Sequence, residues 1–137
     1  MRYVRWFVSL FFVCGMLSCL QVYATDLHDT SDCGGANTVS IGTCFGNALK
    51  LADVEMNDLY KKIMNQTSSK VYQTRLRDAQ RAWIIFRDKS CLYENGTYEE
   101  TRGTLWSLGQ AGCQAAFTKQ RVMQLQEYLK TCENHGC

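Results

Sequence analysis

The sequence predicts an all-α domain, a small antiparallel bundle of three main helices stapled by disulfides, with room for a fourth, short helix. Apolar residues recur at steps of three and four along three separate stretches, which is the period of amphipathic helices. The chain contains eight Cys and no Pro in 137 residues. This length suits a single domain with one hydrophobic core.

The first 24 residues predict a secretory signal peptide that is not part of the fold. Arg2 and Arg5 precede an apolar run over residues 6–20, and Val22 and Ala24 are the small or aliphatic residues at the two positions that a signal peptidase reads. The run is shorter than the ~20 apolar residues that span a membrane. We therefore expect residues 25–137 to form a mature domain in the periplasm or outside the cell.

A lipoprotein anchored at Cys19 is the less favoured alternative, because residues 16–18 match a lipobox poorly. Cleavage after Ala24 would leave 13 basic and 13 acidic side chains. A near-neutral domain lacks the basic face with which nucleic-acid-binding proteins neutralise phosphates. Nucleic acid is therefore excluded as the expected partner.

The first helix is predicted to begin at Thr43 or Cys44, after the turn-rich residues 33–38, and to end before Asn65. Its apolar side chains share one face and should form half of the core: Phe45, Leu49, Ala52, Met56, Leu59, Tyr60, Ile63 and Met64. Residues 65–69 are polar and offer an N-cap for the next helix.

The second helix is predicted over residues 70–91. Gln80, Trp83, Arg87 and Cys91 fall along one side of it, at the spacing of a helical face. The predicted inner stripe consists of Val71, Leu76, Ala79, Trp83 and Phe86. We expect Trp83 and Phe86 to anchor the core. Arg87 or Arg81 should pair with Asp53 or with the carbonyl groups that end another helix.

A long irregular loop is predicted after Cys91, because the helical period breaks and Asn95-Gly96 is a strong turn signal. Gly103 and Gly109 extend it, and the third helix is expected only from residues 112–113 to about 131. Its predicted inner residues are Ala116, Phe117, Val122, Leu125 and Leu129.

The mature domain keeps six Cys, and an even number in a small exported domain predicts three disulfides. Local spacing favours the pairs Cys33–Cys44, Cys91–Cys113 and Cys132–Cys137. A swap such as Cys44 with Cys132 stays open. No metal site is expected, because His135 lies between two Cys that oxidation would pair.

No set of residues in the sequence predicts catalysis. The phosphate loop, the dinucleotide fingerprint, the zinc-protease helix and the nucleophile elbow are all missing. Neighbouring glutamates of the loop lie in a polar stretch rather than in a cleft that would raise one carboxyl pKa. We therefore expect neither an enzyme nor a bound cofactor.

The loop is better suited to binding a protein. It combines aromatic anchors with negative charge, which would attract a cationic partner. The candidate partner-binding residues are Tyr93, Glu94, Tyr98, Glu99, Glu100 and Trp106. The alternative is a solvated loop whose aromatic rings simply fold onto the core.

The run from Ala79 to Asp88, followed by Cys91, resembles the LprI-type lysozyme-inhibitor family of bacterial envelope proteins. The resemblance extends through residues 52–60 and 103–106, and then through Cys113, Thr118 and Arg121. The motif residues that it implies are Asp53, Asn57, Tyr60, Gln80, Arg81, Trp83, Phe86, Arg87, Asp88, Gly103, Thr118 and Arg121. We expect these mainly to serve the fold.

The resemblance implies an exported helical protein that inhibits lysozyme or a related cell-wall hydrolase by steric and electrostatic occlusion. The alternative is an envelope interaction or immunity-type module with a different protein partner. In both cases the functional surface is expected on the loop rather than on the helix that carries the motif.

Overall fold

The computed structural model describes residues 33–35 and 37–137. They form α1 (Thr38–Gln66), α2 (Lys70–Asn95), the one-turn α3 (Tyr98–Thr101) and α4 (Thr104–His135). No strand occurs in this part of the chain. The predicted all-α class, with three main helices and one short helix, is confirmed. The predicted signal peptide over residues 1–24 and the lipidation alternative at Cys19 lie outside the described residues.

The three long helices run up, down and up. α1 and α4 are parallel, since Gly42 lies beside Leu108 near their starts and Ser68 reaches Cys137 past their ends. α2 runs antiparallel to both. It contacts α1 and α4 less closely than these two contact each other.

A buried apolar cluster between α1 and α4 forms the core. It consists of Met56, Leu59, Ile63, Val122 and Leu125, and Leu76 and Trp83 of α2 pack against it. The first helix matches its predicted inner face. A glycine lets α1 and α4 approach, since a Cβ added at Gly42 would lie 2.7 Å from Leu108 Cδ2.

α1 begins five residues earlier than the apolar period predicts. Asn37 is its N-cap, and its side-chain oxygen accepts a hydrogen bond from the Ser40 amide at 2.9 Å. The Ser40 hydroxyl completes a capping box, which satisfies amides at the helix start. Capping by short polar side chains, and not the apolar stripe, therefore sets where this helix starts.

The prediction of a long irregular loop after Cys91 is wrong in its extent. α2 continues to Asn95 and α4 already begins at Thr104, so only residues 96–103 connect them, and α3 occupies half of that connection. Gly109 is helical, and a Cβ at this position would lie 2.5 Å from the Asn95 side-chain oxygen. This glycine allows close packing of α4 against the end of α2 and does not break the helix.

The predicted inner stripe of α2 is wrong at Val71, Ala79 and Phe86, which are all exposed. The inward side is the one that carries Gln80, Trp83 and Arg87. Phe86 instead meets Phe117 of α4 edge to face, with ring centroids 5.7 Å apart. Gln80 and Arg87 share the inward side with Leu76 and Trp83, so a purely apolar stripe identifies only part of the face that packs.

Three disulfides hold the bundle, and they join the three pairs favoured by the spacing. Cys33 is bonded to Cys44, Cys91 to Cys113 and Cys132 to Cys137, with Cα atoms 5.5, 5.7 and 4.9 Å apart. The Cys91–Cys113 bridge ties α2 to α4 in the interior, where Cys91 is fully buried. It therefore fixes the helix pair from which the connection over residues 96–103 projects.

Candidate functional site

Arg87 links all three long helices through one guanidinium. Its NH1 lies 3.1 Å from Asp53 Oδ1 on α1 and 3.1 Å from Thr118 Oγ1 on α4, while its Nε donates to Asp88 Oδ1 at 2.9 Å. Gln114 also donates to Asp88, at 3.1 Å. Of the predicted alternatives, the structure selects Arg87 as the arginine and Asp53 as its partner, and this pair forms part of a wider interhelical network.

A second guanidinium, that of Arg121, lies within the bundle and is only 5% exposed. Its Nε donates to Gln80 Oε1 at 2.9 Å, and its NH1 contacts Gln124. Its NH2 is buried without a hydrogen-bond partner among the described residues. Burial lowers the pKa of Arg121, and Tyr128 opposes that shift.

Trp83 joins the two arginines. The guanidinium carbons of Arg87 and Arg121 lie 5.4 and 5.7 Å from the centroid of its ring, within the range of cation–π attraction. We call this assembly the interhelical polar network: Asp53, Gln80, Trp83, Arg87, Asp88, Gln114, Thr118, Arg121 and Gln124. It crosses the bundle and holds α2 against the other two helices.

The network brings together seven of the twelve residues of the motif and leaves five outside it. Asn57 is exposed and donates to the Asp53 carbonyl of its own helix. Tyr60 packs at the border of the core, Arg81 and Phe86 are exposed, and Gly103 is the N-cap of α4 with φ of 113°. The motif residues therefore serve packing, polar contacts and helix capping in different places.

Sequence reasoning missed Gln114 and Gln124 as members of the network. Gln114 lies one turn before Thr118, whose hydroxyl donates to the Gln114 carbonyl at 2.7 Å. Gln124 follows Arg121 by three residues, a spacing at which side chains on a helix meet. That spacing was the signal available in the sequence.

The predicted partner-binding residues gather at the end of the bundle where α2, α3 and α4 meet. We call residues 93–106 the α2–α4 turn. Tyr93 is 92% exposed and Tyr98 is 51% exposed. Tyr98 meets Trp106 edge to face at 5.6 Å, and Trp106 Nε1 donates to the Gly96 carbonyl at 2.9 Å. Two tyrosines thus face solvent on a turn that Trp106 closes.

The glutamates of the α2–α4 turn differ in what they contact. Glu94 and Glu99 are exposed at its surface. Glu100 Oε2 accepts the Thr97 amide at 2.6 Å in a capping box, and these hydrogen bonds with Thr97 lower the pKa of Glu100. Glu100 therefore stabilises α3. Glu94, whose Oε2 lies 3.3 Å from Cys113 Sγ, and Glu99 keep exposed carboxylates.

The architecture and this surface define the class: a small, disulfide-linked three-helix protein with an acidic, aromatic turn at one end. A family model described as "Lysozyme inhibitor LprI" matches residues 31–125. The chain belongs to the lysozyme inhibitor LprI family. The resemblance inferred from the run of residues 79–91 is therefore confirmed.

The chain is also similar to an uncharacterized protein of Rhizobium meliloti (strain 1021). The two are 27% identical over 132 residues, which cover 87% of this chain and 94% of the relative. No solved structure matches the chain.

The family and the three disulfides fit a protein of the periplasm or the cell exterior. Across the described residues, no helix combines the length and apolarity that crossing a membrane requires.

Proposed function

We propose that this protein inhibits lysozyme or a related cell-wall hydrolase by covering its active cleft with the α2–α4 turn. The observation that carries the proposal is the exposure of Tyr93 and Tyr98 beside Glu94 and Glu99 on one projecting turn. Tyrosine is a frequent anchor of protein interfaces because its large ring loses little conformational entropy. The family description supplies the class of partner.

The turn is held in shape before any partner arrives. The Cys91–Cys113 disulfide fixes its base, Trp106 hydrogen-bonds to the Gly96 carbonyl and Glu100 caps α3. A preorganised surface loses less entropy on association than a mobile one. These contacts support a binding role for the turn, and such a role requires no catalytic group.

Charge supports a cationic partner. Within residues 93–106 the charged side chains are three glutamates and Arg102. An acidic surface accelerates encounter with a cationic protein, and salt weakens that effect because the Debye length falls to ~8 Å at 0.15 M. We expect complex formation with lysozyme to slow as the salt concentration rises, and Glu99→Gln to reduce that dependence.

The test is a lysozyme-driven cell-wall lysis assay combined with a direct binding measurement. Tyr98→Ala and Glu99→Ala should each weaken inhibition by about tenfold, the effect of removing an interface anchor. Tyr72→Ala and Glu133→Ala are matched controls, since both side chains are exposed near the other end of the bundle. If the unaltered protein neither slows lysis nor forms a complex, lysozyme inhibition is wrong.

A second candidate function is an envelope interaction or immunity-type module with a partner other than lysozyme. One observation favours it: most motif residues form the interhelical polar network, so the motif itself supports the fold and leaves the α2–α4 turn free to fit another protein. Capture of one non-lysozyme protein from an envelope extract, abolished by Tyr98→Ala but not by Tyr72→Ala, would support this function.

We also propose that cleavage after Ala24 releases residues 25–137 into the periplasm. The mass of the exported protein measures the cleavage site directly. A mature chain that begins at Cys19 with an attached lipid would contradict this and establish the anchored form.

A further inference from the structure

An open groove lies where α1 and α4 begin. It has a volume of about 280 Å³ and is lined by Thr38, Val39, Gly42, Thr104, Ser107 and Leu108. Its walls are mostly apolar, and Val39 is 75% exposed. The groove exists because the two parallel helices start side by side with small residues on their facing sides.

The size of the groove limits what it can hold. Sites for small-molecule ligands usually measure about 300–1,000 Å³ and enclose most of the ligand. This groove is smaller and open to solvent, which suits one or two protruding side chains of another protein. Protein interfaces commonly place an apolar anchor in such a pocket, surrounded by a polar rim.

The charge around the groove is asymmetric. In the described chain, residues 37–49 of α1 and residues 103–118 of α4 contain no Asp, Glu, Lys or Arg. The neighbouring charges come from the α2–α4 turn, which leads directly into Thr104 through Gly103. A neutral, apolar groove therefore lies beside a turn that carries Glu94, Glu99 and Glu100 against Arg102.

We propose that this groove is the anchor pocket of the interface, and that it receives an aliphatic or aromatic side chain of a cationic protein. The basic residues of that protein would face the glutamates of the α2–α4 turn while its apolar side chain enters between α1 and α4. This inference rests on the proposed function and extends it, because it places half of the contact outside the turn. Complementary charge selects the partner, and the groove fixes the orientation of the complex.

Val39→Glu separates this proposal from an interface held by charge alone. The substitution makes the acidic end more negative, so a purely electrostatic interface should bind a cationic partner equally well or better. A carboxylate in the wall of the groove should instead exclude an apolar anchor. An acidic residue in the first turn of α1 also suits the helix dipole, so the fold should be retained.

Val54→Glu is the matched control, with the same change of side chain on an exposed position of the same helix. Ser107→Tyr is a second variant, which fills the groove without adding charge. The measurement is the affinity for purified lysozyme by calorimetry at low and physiological salt, with the melting temperature of each variant. We expect Val39→Glu and Ser107→Tyr to weaken binding by about tenfold or more, and Val54→Glu to stay within about twofold.

The proposal is overturned if Val39→Glu binds as tightly as the unaltered protein or more tightly, or if Val54→Glu weakens binding equally. Loss of binding in Tyr98→Ala together with full binding in Val39→Glu and Ser107→Tyr would reject the groove and leave lysozyme inhibition standing. Absence of any complex with the unaltered protein would reject both.

Discussion

Arg121 of α4 donates its Nε–H to the side-chain oxygen of Gln80 of α2 across 2.9 Å, so a buried cation meets an amide rather than a carboxylate. Gln80 is itself buried and donates to Met56 Sδ at 3.2 Å. The interior of this bundle therefore holds a positive charge with neutral acceptors and aromatic rings around it.

Gln80→Leu should lower the free energy of unfolding by about 2 kcal/mol, because it removes an acceptor from a buried guanidinium. Gln120→Leu is the control, since Gln120 is exposed on α4, and it should change stability by less than about 0.5 kcal/mol. Urea denaturation of both variants measures the difference. Equal stability of the two variants would show that Arg121 does not depend on Gln80.

Arg87→Ala should destabilise the fold by about 2–4 kcal/mol, because Asp53, Asp88 and Thr118 all lose the same partner. Arg81→Ala changes the same residue type at an exposed position of the same helix and should have little effect. The melting temperature and lysozyme binding should be measured together. An Arg87→Ala variant that kept its melting temperature and lost its partner would overturn the structural role of the network.

Acid should loosen the α2–α4 turn through Glu100. Hydrogen bonds from Thr97 lower the pKa of Glu100 in the folded protein, so its contribution to stability is present above the ordinary pKa of a glutamate. That contribution is lost as pH falls through the lowered value. An NMR titration should show the Thr97 amide shifting with protonation of Glu100, and Glu100→Gln should abolish the shift. A Thr97 amide insensitive to pH would contradict the capping contact.

The disulfides should differ in what they contribute. In the chain-entropy description, the 22-residue separation of Cys91 and Cys113 corresponds to about 3 kcal/mol, and the 5-residue separation of Cys132 and Cys137 to about 2 kcal/mol. Paired Cys→Ala variants should follow this order in chemical denaturation. The Cys91–Cys113 variant should also lose more affinity for lysozyme, because that bridge supports the turn. The reverse order of stability would indicate that the ends of the bundle, rather than its middle, limit unfolding.

The sequence was sufficient for the fold class and the core face of α1, because both depend on a regular spacing. It included Arg87–Asp53 among several possible pairs, and only the structure selects that pair. Prediction from the sequence failed at residues whose type is common in two different structural settings. The residue type predicts a loop at Gly109, whereas this glycine lies within α4, where Asn95 approaches closely. The apolar ring of Phe86 predicts a core position, whereas Gln80 and Arg87 occupy the side of α2 that faces the bundle interior.

The groove could not have been predicted from one sequence. Its walls come from residues 38–42 and 104–108. These segments are distant along the chain, and neither has a feature that predicts a groove by itself. Only the parallel pairing of α1 with α4 brings them together. The aromatic and acidic residues of the α2–α4 turn were visible because they are contiguous in sequence, although their exposure and the edge-to-face contact of Tyr98 with Trp106 required coordinates.

The closest-packed helices, α1 and α4, are also the two that lie farthest apart along the chain. Helices that are neighbours along the chain usually pack together early in folding, because their contacts close only short loops. Here the interior cannot form until the final helix is available, and bringing it back to the first one costs the closure entropy of the whole intervening segment. We expect this domain to fold slowly and cooperatively for a helical protein of its size. α2 should pack onto the α1–α4 pair after that pair has formed.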